Sequence, residues 1–341
     1  MKIQFILEPA SADEFLEIGR LAEDYGFEAV WTANHAAARD PFMAFSVLAR
    51  ESSSIRMGPV AVSPFELHPL KMANQLFTLN EFSRGRANIV VGGGGGTTIA
   101  MHLKPDRYVM HPRMVRGVRE CVEFLQQASP SAPLNFDGDV FQVDNYRPAW
   151  ATDEPPHVYV GATKPQMLRM AAGVADGVML SDLTLGRLDE TMSVLGGALA
   201  ESGRETSGFR INNLFSWHVK PDRHEAMAEA RRKLWVRGML DHWYIAPALN
   251  ERDCKFVAEN MQAFIHAYVN DSPVIDGVPD ELVELLVDEL TFTGDLNDVD
   301  ELIERFGKFK DAGVNELSLR LYDDPAYSIK VIGETVGPEL S

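Results

Sequence analysis

Three times along this 341-residue chain, an amphipathic helical pattern runs through a glycine into an apolar strand pattern: Asp24-Tyr-Gly26-Phe27, Ala175-Asp-Gly177-Val178 and Asp311-Ala-Gly313-Val314. A glycine at that place ends a helix and lets the chain turn. Repetition of the seam implies repeated βα units. Strands joined by crossover helices lie parallel in one sheet.

The remaining pattern fits that frame. Lys2 to Leu7 reads as a first strand, and Ser11-Ala-Asp-Glu14 has the spacing of a capping box opening a helix whose Phe15, Ile18, Leu21, Ala22 and Tyr25 share one face. Further strands are expected over Gly26 to Ala33 and near Ile55–Ala61, Ala87–Val91, His157–Val160, Gly177–Leu180, Ile211–Val219 and Val314–Leu321. That makes eight, the count of a (β/α)8 barrel, an α/β fold of the TIM type. Helices are expected over Pro41–Ser52, Pro69–Ser83, Met114–Gln127, Pro165–Ala175 and Leu188–Ser202, from His224 onward, and over Ala326–Val336. Two stretches exceed a minimal barrel. Leu134–Trp150, with Asp137-Gly138 at its middle, reads as a β-hairpin after the fourth strand. Met239–Thr293, after the seventh, is helical in pattern, and no Lys or Arg falls between Phe256 and Glu304. It is either a solvated acidic face or a lid over a site.

Composition excludes several classes of partner. The net charge is −18, so the average surface repels phosphate backbones and anionic headgroups; nucleic acid and membrane are not expected partners. The run Ile3–Leu7 stops at Glu8 and Pro9, too short for a signal-peptide core. Cys121 and Cys254 lie far apart outside any C-x-x-C pattern, which argues for a reducing compartment, no disulfide framework and no metal site.

In a β/α barrel, chemistry sits at the carboxyl ends of the strands. The second strand runs Gly26-Phe-Glu-Ala-Val-Trp31-Thr-Ala-Asn34-His35 and ends in a carboxamide and an imidazole, the latter suited to proton transfer near neutral pH. The fourth ends in five glycines, Gly92 to Gly96. Thr97 and Thr98 follow where a phosphate loop needs Lys, and no G-x-G-x-x-G can be counted from Gly92. What the run offers is access: a ring system can lie against backbone where Gly92, Gly93 and Gly94 carry no side chain. The fifth strand leads through Gly161, Ala162 and Thr163 into a helix with Pro165 in its first turn, an arrangement suited to a phosphate monoester. Ser181, ending the sixth strand, is a further candidate for that site, whereas Asp182 would repel a phosphate. Arg107, His111, Arg113 and Arg116 form a local basic patch, read either as a cover over an anionic ligand or as helix-surface ion pairs such as Arg116 with Glu120. Phe65, Met101, Met110, Trp235 and Trp243 are candidates for an apolar pocket, although such side chains are more often core.

The second-strand segment, Ser83-Arg-Gly85-Arg86, Pro155-Pro-His-Val-Tyr-Val-Gly-Ala-Thr163, the Ala175 and Asp311 seams and Ala230-Arg-Arg-Lys…Asp241-His-Trp-Tyr244, in this order and spacing, resemble the bacterial luciferase-like flavin monooxygenase superfamily over nearly the whole chain. The resemblance implies one barrel domain over residues 1–341, with 239–293 an insertion or lid, often dimeric and cytoplasmic. It implies reduced FMN or a deazaflavin at the strand ends, His35 at the active site, Thr163 on the flavin phosphate, and a non-prolyl cis peptide near Ala61-Val62-Ser63 with Ser63 beside the cofactor. Gly92 and Gly93 stand where such chains place a cysteine and a phosphate-binding arginine. Asn34 stands where deazaflavin-dependent relatives usually have Asp, while the glycine run is reminiscent of deazaflavin reductases acting on methylene-pterins.

The expected activity is therefore that of a two-component FMN monooxygenase. It would take reduced FMN from a separate flavin reductase and use O2 to oxygenate a small organic substrate through a flavin hydroperoxide, with His35 moving protons and Asn34 orienting it or the ring. Deazaflavin-dependent hydride transfer is the alternative, and a non-catalytic flavin-binding barrel the second.

Overall fold

The computed structural model describes residues 1–8, 11–94 and 111–340. In chain order the first elements are β1 (Lys2–Leu7), α1 (Ala12–Asp24), β2 (Ala29–Ala33), α2 (Ser46–Glu51), β3 (Arg56–Val62), α3 (Pro69–Phe82) and β4 (Asn88–Val91). They are followed by α4 (Met114–Gln127), β5 (Leu134–Asp137), β6 (Gln142–Tyr146), β7 (His157–Gly161), α5 (Pro165–Val174), β8 (Gly177–Ser181), α6 (Leu185–Glu201) and β9 (Arg210–Val219). The chain ends with α7 (Arg223–Lys233), α8 (His242–Ile245), α9 (Glu251–Glu259), α10 (Met261–Val269), α11 (Asp280–Leu290), β10 (Thr291–Gly294), α12 (Val299–Asp311), β11 (Glu316–Arg320) and α13 (Pro325–Val331).

The large sheet has the order β10-β9-β11-β1-β2-β3-β4-β7-β8, and β9 also pairs with β8. Eight of these strands thus return to their start, giving the expected (β/α)8 barrel. The pairings β1–β2, β2–β3, β3–β4, β4–β7 and β7–β8 are all parallel. The ninth strand was not expected: β10 adds to the far half of the ten-residue β9, pairing Thr291 with Ser216 through Gly294 with Val219. Met239–Thr293 is therefore helical only to Leu290. The helix expected over Pro41–Ser52 also begins later than its pattern suggested, Met43–Phe45 forming a 3₁₀ turn before α2.

By packing, the chain divides into two compact units. One comprises Gln4–Met179 and Val194–Asn212, the other Met1–Ile3, Leu180–Ser193 and Asn213–Ser341.

In the first unit the Gln4 side-chain oxygen accepts from Trp31 Nε1 at 2.7 Å and from Asn212 Nδ2 at 2.9 Å, so the buried polar groups answer each other. Trp31 meets Tyr159 edge to face at 5.5 Å. Ser11 caps α1 as its spacing predicted, accepting from Glu14 N at 3.1 Å. The seam glycines do different work. Gly26 is left-handed at φ +74°, whereas a Cβ on Gly177 would stand 2.6 Å from Arg210 Cβ, so there glycine grants close approach. The hairpin β5–β6 is antiparallel as expected. Its turn is held by buried Glu120, whose carboxylate accepts from Asp139, Val140 and Phe141 N–H groups at 2.9–3.0 Å. Glu120 is thus spent on the turn, and Arg116 pairs with Asp139 rather than with Glu120.

In the second unit Phe215, Phe292, Phe306 and Phe309 are fully buried together. Each such ring contributes about 1.5–3 kcal/mol by leaving water. Arg305 lies over Phe292 and donates to the Glu289 and Thr291 carbonyls, closing α11 where β10 begins. Helices α8 to α11 bury Ile245, Cys254, Phe264 and Leu286 in one cluster with Leu234.

Candidate functional site

The strand ends of the first unit form a nearly bare floor. The Val60–Ala61 peptide is cis, one residue ahead of the stretch where the family resemblance located it. Asn34 brackets it: its backbone N–H donates to Val60 O at 3.0 Å and its Nδ2 to Ala61 O at 3.2 Å. The neighbouring strand ends bring Gly92 and Gly161 to the same place. A Cβ on Gly92 would lie 3.1 Å from Ala61 Cβ, and one on Gly161 4.0 Å from it. Ala61, Gly92 and Gly161 together thus present backbone and one methyl group. The rest of the glycine run behaves otherwise. The space a Gly93 side chain would take holds Met114 Sδ, 2.6 Å away, and Gly94 is needed for its backbone, at φ +78°. Gly95, Gly96, Thr97, Thr98, Met101, Arg107 and Met110 lie outside the described residues, as does the His111 side chain.

One residue on from Asn34, His35 meets a partner that sequence reasoning missed. Its Nε2 lies 2.9 Å from Glu8 Oε1, both side chains 44% exposed. Glu8 follows β1 directly, so the strand-end logic that found His35 could have found it. With Glu8 ionised, the facing nitrogen carries the proton of their hydrogen bond. The pair opens on a cleft of about 510 Å³ lined also by Ser11, Thr32, Arg39 and Asp40. Small ligands bind in clefts of this size.

Glu66 is the second missed carboxylate. Its Oε1 accepts from Ser63 N at 2.9 Å and, over a short contact, from Asn34 Nδ2. Ser63 is fully buried and its Oγ accepts from Phe65 N at 3.2 Å, so it is occupied with its own turn. Ser63-Pro-Phe-Glu66 has the Ser-x-x-Glu spacing of a capping box, a signal present in the sequence.

Gly161, Ala162 and Thr163 lead into α5, whose cap residue Lys164 makes no side-chain bond to the helix. The Lys164 side chain thus leaves the first turn to other partners, and Thr163 places a hydroxyl just ahead of it.

Ser181 falls in the other unit, where its hydroxyl donates to Asp182 Oδ2 at 3.0 Å. The strand ends of that unit carry buried charge. Arg237 donates to Asp182 Oδ1 at 2.8 Å and to Tyr322 Oη at 3.1 Å, and Gly238 N–H donates to Asp182 Oδ2 at 3.0 Å. Next to it, His218 Nδ1 lies 2.6 Å and Lys220 Nζ 2.8 Å from the Glu229 carboxylate. Burial pushes the His218 imidazole below its ordinary value, against the pull of Glu229. Burial alone would raise the Glu229 carboxyl, but the bonds from His218 and Lys220 hold it below the usual range. Of the apolar candidates among the described residues, Phe65 lies against Gly117, Trp235 against Tyr268 and Trp243 against Tyr244.

A family model described as luciferase-like monooxygenase matches residues 4–316. A 5,10-methylenetetrahydromethanopterin reductase of Archaeoglobus fulgidus is 26% identical over 94% of this chain and 94% of its own. The solved coenzyme F420-dependent tetrahydromethanopterin reductase of Methanopyrus kandleri superposes with a TM-score of 0.79 at 19% identity, covering 100% of this chain and 99% of its own. A type II Baeyer–Villiger monooxygenase from Pseudomonas putida, in complex with FMN, superposes at 0.66 and 17% identity over 100% of this chain and 99% of its own.

Proposed function

The chain belongs to the luciferase-like monooxygenase family, and within it we propose that it is a deazaflavin-dependent oxidoreductase transferring hydride to or from an iminium- or carbonyl-type carbon, not the FMN monooxygenase expected from sequence. The observation that carries this is the similarity to a methylenetetrahydromethanopterin reductase along almost the full length of both chains.

The residues present fit a planar cofactor. Ala61, Gly92 and Gly161 offer backbone and one methyl group for a ring to lie against, and Thr163 with the amide end of α5 suits a phosphate group. A deazaflavin bound there supplies or accepts the hydride. His35 holds the proton that the reaction must move. When a carbonyl carbon gains hydride, its oxygen gains the electron pair and takes a proton from the imidazolium, whereas an iminium nitrogen is neutralised by that pair and needs none; in the reverse direction the neutral ring accepts the alcohol proton. Glu8 fixes the orientation of the ring.

Asn34, where deazaflavin-dependent relatives usually carry Asp, favours the second reading, an FMN monooxygenase. One experiment separates the two. Under strict exclusion of oxygen, reduced F420 is mixed with the protein and a panel of iminium and carbonyl substrates, and reappearance of the oxidised deazaflavin spectrum is followed. Turnover without oxygen supports the proposal; turnover only with reduced FMN and oxygen overturns it.

A further inference from the structure

We propose that Glu66 is a positioning residue that locks the Asn34 carboxamide, so that a bound ring meets only a hydrogen-bond acceptor at that edge and must bring an imide N–H to it. The inference rests on the cofactor reading of the bare floor given above.

A carboxamide has two N–H donors and one carbonyl acceptor. Both Asn34 donors are committed, one to Ala61 O at 3.2 Å and the other to Glu66 Oε1. The Ala61 bond ties the amide to the residue whose methyl group is part of the floor, so Asn34 stands at its rim. What remains is Oδ1. Without Glu66 only the longer bond to the Ala61 carbonyl would resist the amide turning over to offer a donor, because oxygen and NH₂ ends are nearly the same size. Glu66 removes that choice, since a carboxylate oxygen accepts and cannot donate. The same Oε1 accepts from Ser63 N at 2.9 Å, anchoring the carboxylate to the chain just past the cis peptide. The Glu66 N–H donates to Ser63 O at 3.1 Å, so the carboxylate sits on a closed turn and not on a swinging arm. An isoalloxazine or deazaflavin edge carries one N–H between two carbonyls. Against Oδ1 the N–H gains a partner, while an N-methyl group would bury that acceptor unpaired.

The test uses 5-deazariboflavin and its N3-methyl derivative as probes, titrated by fluorescence into wild type, Glu66→Ala and Glu66→Gln, with no turnover required. Wild type is expected to prefer the N–H probe by about tenfold, the worth of one hydrogen bond with its penalty for omission. Glu66→Ala is expected to lose the preference, and Glu66→Gln, whose carbonyl can still accept from Asn34 and Ser63, to retain most of it. Equal preference in wild type and Glu66→Ala overturns the proposal, as does a wild type that binds both probes alike. If wild type binds neither probe the cofactor reading falls, and hydrogen exchange of the Asn34 side-chain amide then decides on Glu66. Faster exchange in Glu66→Ala than in wild type supports the lock; unchanged exchange overturns it.

Discussion

The two units end their strands in opposite ways. In the first, Ala61, Gly92 and Gly161 leave bare backbone, and the ionisable pair His35–Glu8 is almost half exposed. In the second, Asp182, Arg237, His218 and Glu229 are all but completely buried and bonded to one another. Exposed polar groups with room beside them can exchange partners with a ligand. Buried charges that already satisfy one another cannot do so without a large cost. The contrast is the reason the proposed function draws proton transfer and ring binding from the first set and leaves the second to structural fixation. In the second set Ser181 gives its hydroxyl proton to Asp182.

The largest expected effect tests the open set. Replacing His35 by Ala should lower kcat by about 10²–10⁴-fold, the usual worth of a general acid or base, with the melting temperature nearly unchanged. A loss of stability with intact turnover would reverse the assignment. The sealed set should respond oppositely. Arg237→Ala leaves the Asp182 carboxylate buried without its cation, and denaturant unfolding should show a loss of about 3–5 kcal/mol. The double variant Asp182→Asn, Arg237→Met should recover part of it, because no unpaired charge remains.

Two smaller effects depend on pH. His218 titrates below its ordinary value in the folded protein, so the unfolded chain binds the proton more readily. Its contribution is present above about pH 6.5 and is lost as pH falls below that value. Thermal midpoints of wild type should therefore drop on acidification below this pH more steeply than those of His218→Gln. Glu23 tests the same linkage at a surface loop. Burial opposes its ionisation, yet the N–H groups of Ser54, Ile55 and Ser53 hold it at about 2. Its contribution is present above the ordinary glutamate value and disappears as pH falls toward 2. The stability gap between wild type and Glu23→Gln should narrow over that window, and a pH-independent gap would refute the linkage.

Much of this architecture was legible in the sequence because helix and strand periods are local. The spans of α4 and of most barrel strands fall within a residue or two of their patterns. Strand β10 was not, because Thr291–Gly294 is only four residues long and follows an amphipathic helix without a break; it is a strand because β9 runs on far enough to receive it. His35 and the glycine run could be singled out since strand ends are where barrels do chemistry. Which glycines open a floor could not, because Gly92 faces Ala61 whereas Gly93 is filled by Met114 from a distant helix. Glu8 and Glu66 were overlooked for a similar reason. Each is one carboxylate among many in an acidic chain, and only the meeting of β1 with β2, and of the turn after β3 with Asn34, singles them out.

The most direct measurement is an equilibrium titration of oxidised F420 and, separately, of FMN into the wild-type protein and into Gly161→Leu, followed by fluorescence. Saturable F420 binding that exceeds FMN binding and is abolished by the leucine, in a variant that still melts cooperatively, is the predicted result. FMN binding with no F420 binding, or F420 binding that the leucine leaves untouched, would contradict the account.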